Sequence, residues 1–389
     1  MTEIGLRVVK LLSTMAIVSL FLSLGGSGAD PKSIEDKIFD RADLRQADLS
    51  GLDLSGANLN QSDLRGASLK DADLSNAYLI SAWLMGADLT GAKLGGADLT
   101  GADLSSAILA GADLSEATLW GAKMSKAVLT ESDLTKADLT RADLTDVDLT
   151  DADMTNARLF RADLSGATMV DVCLIGGNFV GAHMSWADMS GSYLNRGQFS
   201  RAEFYGTDLS GADLTDADFS RAYLMRSDLS GANLNWAQLS YADLTETKLI
   251  GASLRGAKLL YADLTGADIS EADLTDADLT AVRLIKSNLT NARLGRVYLL
   301  GLDLRDVNLR GAYLKMANLD QIDLTNANLS KVDLRGATFT MVELTGADLS
   351  GANLENAEFD QFTLLSLSKA NTDGALMGDD LKRELEALN

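Results

Sequence analysis

From Leu44 to Leu364 a large apolar residue falls at every fifth position, always at a number ending in 4 or 9, with no insertion or deletion. That makes 65 repeats, 53 of them centred on Leu and the others on Met, Ile or Phe. Two residues before the centre stands Ala in 45 of the 65, and a small residue in most of the others. Asp or Asn usually fills the position between, and Ser or Thr often follows the centre. An amphipathic helix repeats every 3.6 residues and a half-buried strand every 2.0, so a strict period of five fits neither element. A self-similar period of this kind marks a repeat architecture, whose units gain a core by stacking on one another.

The pentad Ala-Asp-Leu-Ser-Gly, as at 47–51, 162–166 and 347–351, resembles the pentapeptide-repeat family, and the resemblance covers residues 42–366. It implies an all-β solenoid: a right-handed quadrilateral β-helix in which each repeat forms one side and four repeats complete a coil. The centre and the small residue two before it would point inward, because a narrow solenoid has room for one large and one small side chain per side. The remaining positions would lie at the surface, and stacking would satisfy the backbone from coil to coil.

Two ladders in the sequence support the four-repeat coil independently. Phe179, Phe199, Phe219, Phe339 and Phe359 share one column with a step of 20, Phe39 extends it backward, and among the Phe centres only Phe204 departs from it. At the small inward position Val282, Leu302, Ile322, Val342 and Phe362 form a second column with the same step. Wide residues stack on wide residues because like cross-sections leave no void.

The flanks divide the chain further. Arg7 and Lys10 precede an apolar run from Leu11 to Leu24, followed by Gly-Gly-Ser-Gly-Ala at 25–29. A basic start, a short apolar stretch and small residues at Ser27 and Ala29 predict a signal peptide, residues 1–29, cleaved after Ala29. An uncleaved anchor and a merely buried helix are the other readings, although a spanning helix wants about 20 apolar residues and this run is shorter. Residues 30–41 are expected to close the first coil: Ser33 with Asp36 resembles a capping box, and Ile34 and Ile38 are available to cover the core. Residues 367–389 are expected to form a tail and a capping helix, with Leu381, Leu385 and Leu388 on one face, since an open last coil is a bare sheet edge.

Charge narrows the function. The formal net charge is −22, whereas a nucleic-acid binder is expected to be basic, so no direct nucleic-acid binding is expected. The single cysteine, Cys173, forms no intramolecular disulfide. It lies ten residues from the only histidine, His183, which places the two on opposite sides of a 20-residue coil. Neither a zinc cluster nor a catalytic triad can be assembled from these residues, and the evenly spaced carboxylates follow from the repeat itself. The chain is expected to be no enzyme and to need no cofactor.

Two surface features rise above the repeat. The corner column 41, 61, 81 and onward carries Arg41, Arg141, Arg161, Arg201, Arg221, Tyr241 and Tyr261 and no acid. The column half a coil away carries Asp71, Glu131, Asp151, Asp171 and Glu271, with Lys331 its only base. Arg and Tyr are enriched at interface hot spots. The alternative is that these arginines pair with Asp in adjacent columns and make a solvated edge. The second feature is residues 170–206, where Val170, Ile175 and Val180 replace the usual Ser or Thr and Trp186, Tyr193 and Tyr205 point outward. An exposed apolar patch often marks a contact site. The expected partner-binding residues are therefore Arg141, Arg161, Arg201, Arg221, Tyr241, Tyr261, Trp186 and Tyr193.

These observations predict an exported structural or protein-interaction rod, in a periplasm or a thylakoid lumen. Its partner would be an unidentified protein or a second copy of the chain, and no membrane span would remain after signal cleavage. The alternative comes from the family resemblance: some members resemble B-form DNA in shape and charge and bind DNA gyrase. The signal segment speaks against that, and so does the absence of any loop interrupting the repeats here.

Overall fold

The structure, a computed structural model, describes residues 39–297, 299 and 301–388. The expected signal segment 1–29 and the expected capping residues Ser33, Ile34, Asp36 and Ile38 lie outside the described residues. The chain divides into two compact units, residues 1–193 and 194–389.

Within each unit the backbone returns parallel to itself after 20 residues. In the first, Asp43 pairs with Asp63 and Asp153 with Cys173; in the second, Gln198 pairs with Asp218 and Asp333 with Asn353. Four repeats therefore complete one coil, as the two ladders predict. In a repeat with Asp before the centre every backbone N–H has a destination, which is why that pentad recurs so uniformly. The centre donates to the next coil (Leu44 N to Asp63 O, 2.7 Å), as does the corner residue (Gly51 N to Lys70 O, 2.8 Å). The residue before the centre donates to the previous coil (Asp63 N to Ala42 O, 2.8 Å), and the small residue closes its own turn (Ala47 N to Leu44 O, 3.1 Å). The fifth N–H, just after the centre, is taken by the Asp side chain two residues back, as in Ser55 N to Asp53 Oδ1 at 3.0 Å. The Ser55 hydroxyl donates to the same oxygen at 2.7 Å. The Asp-Leu-Ser/Thr consensus is thus a side-chain-closed turn.

Each side ends in a four-residue turn whose third residue has positive φ, at numbers ending in 1 or 6: Gly51 has φ 64° and Arg141 φ 58°. A type II turn demands that conformation there, and glycine adopts it without strain, hence Gly before Ala in many repeats.

The core is two residues wide per repeat. Leu64 and Ala67 are buried, and the same holds along both units. In the second unit the Phe ladder is a real stack: Phe199 lies on Phe219 at 4.9 Å between ring centroids, and Phe339 on Phe359 at 4.6 Å. Phe204, off the column, meets Phe199 edge-on at 5.7 Å. Val282, Leu302, Ile322 and Val342 are buried as the second ladder requires. Where Ser or Thr takes the small inward position its hydroxyl donates to a backbone carbonyl, as Ser62 does to Leu59 O at 2.7 Å.

The carboxyl end departs from the repeat. Strands β1 (Asn318–Asp320), β2 (Thr338–Thr340) and β3 (Glu358–Phe359) pair in parallel, with Leu319 opposite Phe339 and Phe339 opposite Phe359. Helix α1 (Gln361–Leu367) follows at once. The repeat reading through residue 366 is corrected here, because Leu364 lies on α1, and Phe362 is 44% exposed instead of extending its ladder. The physical cause is Asp360, which caps α1 through the Thr363 N–H at 2.8 Å and also accepts from Met341 N at 2.9 Å. The α1 hydroxyls replace backbone carbonyls: Thr363 Oγ1 accepts from Val342 N at 3.0 Å, in place of the acceptor within its own turn, and Ser366 Oγ accepts from Leu344 N, in place of a further coil's carbonyl. Strand-like pairing then resumes, with Asp348 on Asn371 and Asn353 on Leu376, a step of 23 residues in place of 20. Helix α2 (Asp379–Glu386) buries Leu381 and Leu385, while Leu388 lies beyond it and is exposed, so only two of the three expected leucines serve its buried face.

Glu343 ties this end together. The Ser366 hydroxyl first, and then Thr345, hold its carboxyl below the ordinary value of 4.5. A lowered folded value means that the stabilisation is fully present above pH about 4.5 and is lost as the pH falls through the lowered value. Glu343→Gln keeps an acceptor oxygen but not the titration. Its melting temperature is expected to fall less steeply with acidification than that of wild type. Identical acid limbs in the two proteins would show that Glu343 does not couple to folding.

Candidate functional site

Charged side chains on this scaffold obey a positional rule. An Arg just after a centre pairs with the Asp two residues behind it: Arg65 with Asp63 at 2.6 Å, Arg305 with Asp303 at 2.6 Å and Arg335 with Asp333 at 2.7 Å. Three cations at left-handed corners reach along their own columns instead, while Lys126, Arg196 and Lys286 make no ion pair among the described residues although Asp146, Asp216 and Asp306 follow them in theirs. Lys136 meets Glu116 at 2.9 Å, Arg226 meets Glu246 at 2.7 Å and Arg296 meets Asp276, each 20 residues apart. Such pairs need an acid in the same column.

The column of Arg141, Arg161, Arg201 and Arg221 has none. Among the described residues none of these four makes an ion pair, so pairing with adjacent Asp columns does not occur. Arg41 alone approaches an acid, its neighbour Asp40, at 3.9 Å. In the first unit Arg141 and Arg161 occupy successive coils, the backbone of Arg141 bonding to Phe160 O at 3.0 Å. The Arg161 guanidinium lies 5.1 Å from the centroid of the Phe160 ring. In the second unit Arg221 lies 5.5 Å above the Tyr241 ring, and Tyr241 stacks on Tyr261 at 5.1 Å. Both tyrosines are about half exposed. Arg221, Tyr241 and Tyr261 thus form one cation–aromatic ladder over three coils, and the sequence reading of the column is realised as contact. Arg201 stands one coil before Arg221 on the same corner.

Trp186 and Tyr193 are exposed, Trp186 at 66%, but they belong to other columns and do not join the arginine corner. Val170, Ile175 and Val180 sit at three successive corners, each half-buried, and form no single patch. Phe160, beneath Arg161, escaped the sequence reading; its signal is an aromatic where Ser or Thr is usual. Cys173 is half-buried with its Sγ 3.2 Å from Thr155 Oγ1, and His183 is exposed half a coil away. Among the described residues no group of His, Cys, Asp and Glu is placed to hold a metal ion, and no helix is long and apolar enough to cross a membrane.

The family model described as Pentapeptide repeats (8 copies) matches segment after segment: 42–79, 82–121, 112–151, 122–159, 138–176, 182–221, 202–237, 237–276, 257–296, 303–340 and 327–364. No curated protein sequence matches the chain. Among solved structures, the chain is similar to HetL of the cyanobacterium Nostoc sp. strain PCC 7120, a pentapeptide repeat protein involved in heterocyst differentiation regulation. The identity is 32% over 64% of this chain and 91% of HetL, with a TM-score of 0.31. It is also similar to QnrB1, a plasmid-mediated fluoroquinolone resistance protein, at 19% identity over 51% of this chain and 92% of QnrB1, TM-score 0.24. A pentapeptide repeat protein of the Arabidopsis thaliana thylakoid lumen matches at 26% identity over 46% of this chain and 90% of its own, TM-score 0.17. With the family model matching most of the chain, and the 20-residue coil it entails present in both units, the protein belongs to the pentapeptide repeat family.

Proposed function

We propose that this pentapeptide repeat protein is a non-enzymatic, exported interaction scaffold, folded as a right-handed quadrilateral β-helix whose carboxyl end is closed by α1 and α2. Its partner-binding residues are the acid-free Arg and Tyr corners. The observation that carries the reading is the ladder Arg221–Tyr241–Tyr261, exposed and without an ion pair on a chain of net charge −22. Lys136, Arg226 and Arg296 are neutralised within their own columns, whereas Arg221, like the corner cations Lys126, Arg196, Lys286 and Lys331, makes no ion pair among the described residues; what sets Arg221 apart is the stacked rings that add apolar area beside its charge. Export rests on the segment 1–29.

The alternative reading is a DNA-mimicking inhibitor or protector of DNA gyrase. The strongly acidic composition favours it, while the signal segment and the unneutralised Arg rows count against it. One fractionation experiment separates the two. The mature chain is expected in an exported fraction, beginning at Asp30, and crosslinked pull-downs from that fraction are expected to lose partners when Arg161, Arg201 and Arg221 are all changed to Ser. A cytosolic chain beginning at Met1 or Thr2 would revive the gyrase reading. Unchanged partners and oligomeric state in the triple variant would reduce the corner to a solvated edge.

A further inference from the structure

In the first unit two rows of unpaired corner charge, one of each sign, stand on opposite corners. Arg141 and Arg161 stand on one; Glu131, Asp151 and Asp171 stand half a coil away on the other. All five are exposed, at left-handed corner positions. None makes an ion pair among the described residues. In this unit each of these two columns holds a single sign, so none of the five meets an opposite charge along its own column. Asp143 and Asp163, on the face beside the arginines, are engaged elsewhere, accepting from the Thr145 and Ser165 backbones and hydroxyls.

The two rows share one pitch because both are set by the 20-residue coil. Successive members are one coil rise apart, about 4.8 Å. Each row also runs beside an apolar side chain at the preceding turn position: Phe160 before Arg161, and Val170 before Asp171. Two ladders of opposite sign and equal spacing, on opposite corners of the same unit, are complementary to each other and unable to meet within one molecule.

We propose that the occupant of the Arg141/Arg161 edge is the Glu131/Asp151/Asp171 edge of a second copy of this chain, docked side by side in parallel. This rests on the reading of the Arg corner as an interaction surface and names its partner in the first unit. The contact is heterologous: one edge meets a different edge, so each added copy presents a fresh acidic row and a fresh basic row, and the association is open-ended instead of stopping at a dimer. The net charge of −22 opposes it less than the total suggests. At physiological ionic strength the Debye length is about 8 Å, so charges on distant corners are screened while the facing rows are not. Facing like charges would be strongly unfavourable, which fixes the pairing of edges.

The test uses the full purified chain in sedimentation velocity over a range of protein and salt concentrations. Wild type is expected to gain mass with concentration and to lose it as salt is raised. Arg141→Glu with Arg161→Glu makes both edges acidic; Glu131→Arg with Asp151→Arg and Asp171→Arg makes both basic. Glu and Arg already occupy this corner conformation in the chain, so both variants are expected to keep the wild-type melting profile. Each alone is expected to associate roughly tenfold or more weakly than wild type at the salt of strongest association. An equimolar mixture is expected to assemble again, because each acidic edge then finds a basic one. The proposal is overturned if wild type stays monomeric throughout, if either variant associates as wild type does, or if the mixture fails to recover what each variant lost. The Glu131→Arg, Asp151→Arg, Asp171→Arg variant leaves Arg161, Arg201 and Arg221 in place, so its effect is separable from failure of the broader partner-binding reading.

Discussion

Phe199→Asp is expected to abolish cooperative folding of the coils around it. Phe199 is fully buried, stacked on Phe219 at 4.9 Å and edge-on to Phe204 at 5.7 Å. Truncating a buried Phe alone costs about 3–5 kcal/mol in transfer energy and cavity. A carboxylate left there without a partner adds several kcal/mol of desolvation. Together these rival the 5–15 kcal/mol by which ordinary domains are stable. In a stacked repeat protein each coil leans on its neighbours, so the loss is expected first as a separate low-temperature step in a circular-dichroism melt. Phe199→Leu serves as the control, since Leu already centres most repeats. A melt of Phe199→Asp that overlays wild type would mean that the side chain does not point inward.

The coil was legible because nothing interrupts the register: Phe199, Phe219, Phe339 and Phe359 are wide residues, and wide residues 20 apart have to lie over one another or leave voids. The same regularity hid the end of the repeats. Leu364 and Phe362 keep the five-residue spacing, and spacing alone does not distinguish a repeat centre from a residue on a helix. The distinguishing signal is Asp360 with Thr363 three residues on, a helix start written over the pentad. Once α1 begins, Thr363 and Ser366 supply the acceptors that Val342 and Leu344 need, so the backbone is satisfied without a further coil.

The site was legible at the level of columns and not of contacts. Sequence shows that Arg141 and Arg305 both stand two residues from an Asp. It does not show that Arg305, just after a centre, curls back onto Asp303 while Arg141, at a left-handed corner, does not pair with Asp143. Which partner a guanidinium reaches depends on where its Cα–Cβ bond leaves the turn, and the two turn positions differ in the sign of φ. Trp186 and Tyr193 illustrate the converse. Their columns follow from the 20-residue step alone, and they stand apart from the arginine corner as a separate feature.

Gly197→Ala is expected to destabilise by about 1–3 kcal/mol, although it restores the commonest residue at its position. A Cβ at Gly197 would stand 2.4 Å from Phe199 Cε2, 2.7 Å from its Cζ and 2.9 Å from Leu194 O. The backbone there is not left-handed, so conformational freedom does not explain the glycine; space does. A coil side holds a limited volume, and before Phe199 the small residue gives up its methyl to the ring, whereas Phe204, Phe219, Phe339 and Phe359 keep Ala two residues before. Gly177, before Phe179, repeats the arrangement, with a Cβ falling 2.7 Å from Phe179 Cε2. The two positions are therefore coupled. Phe199→Leu alone opens a void, Gly197→Ala alone overfills the side, and the double variant rebuilds the Ala-X-Leu unit that 45 repeats share at the alanine. Its stability is expected to lie well above the sum of the single losses, a coupling of about 0.5–3 kcal/mol in a double-mutant cycle read by denaturant melts. Strict additivity, or a neutral Gly197→Ala, would show that the glycine does not make room for the ring. The close approach to Leu194 O would then be the sole contact at stake, relieved by a backbone shift of a few tenths of an ångström.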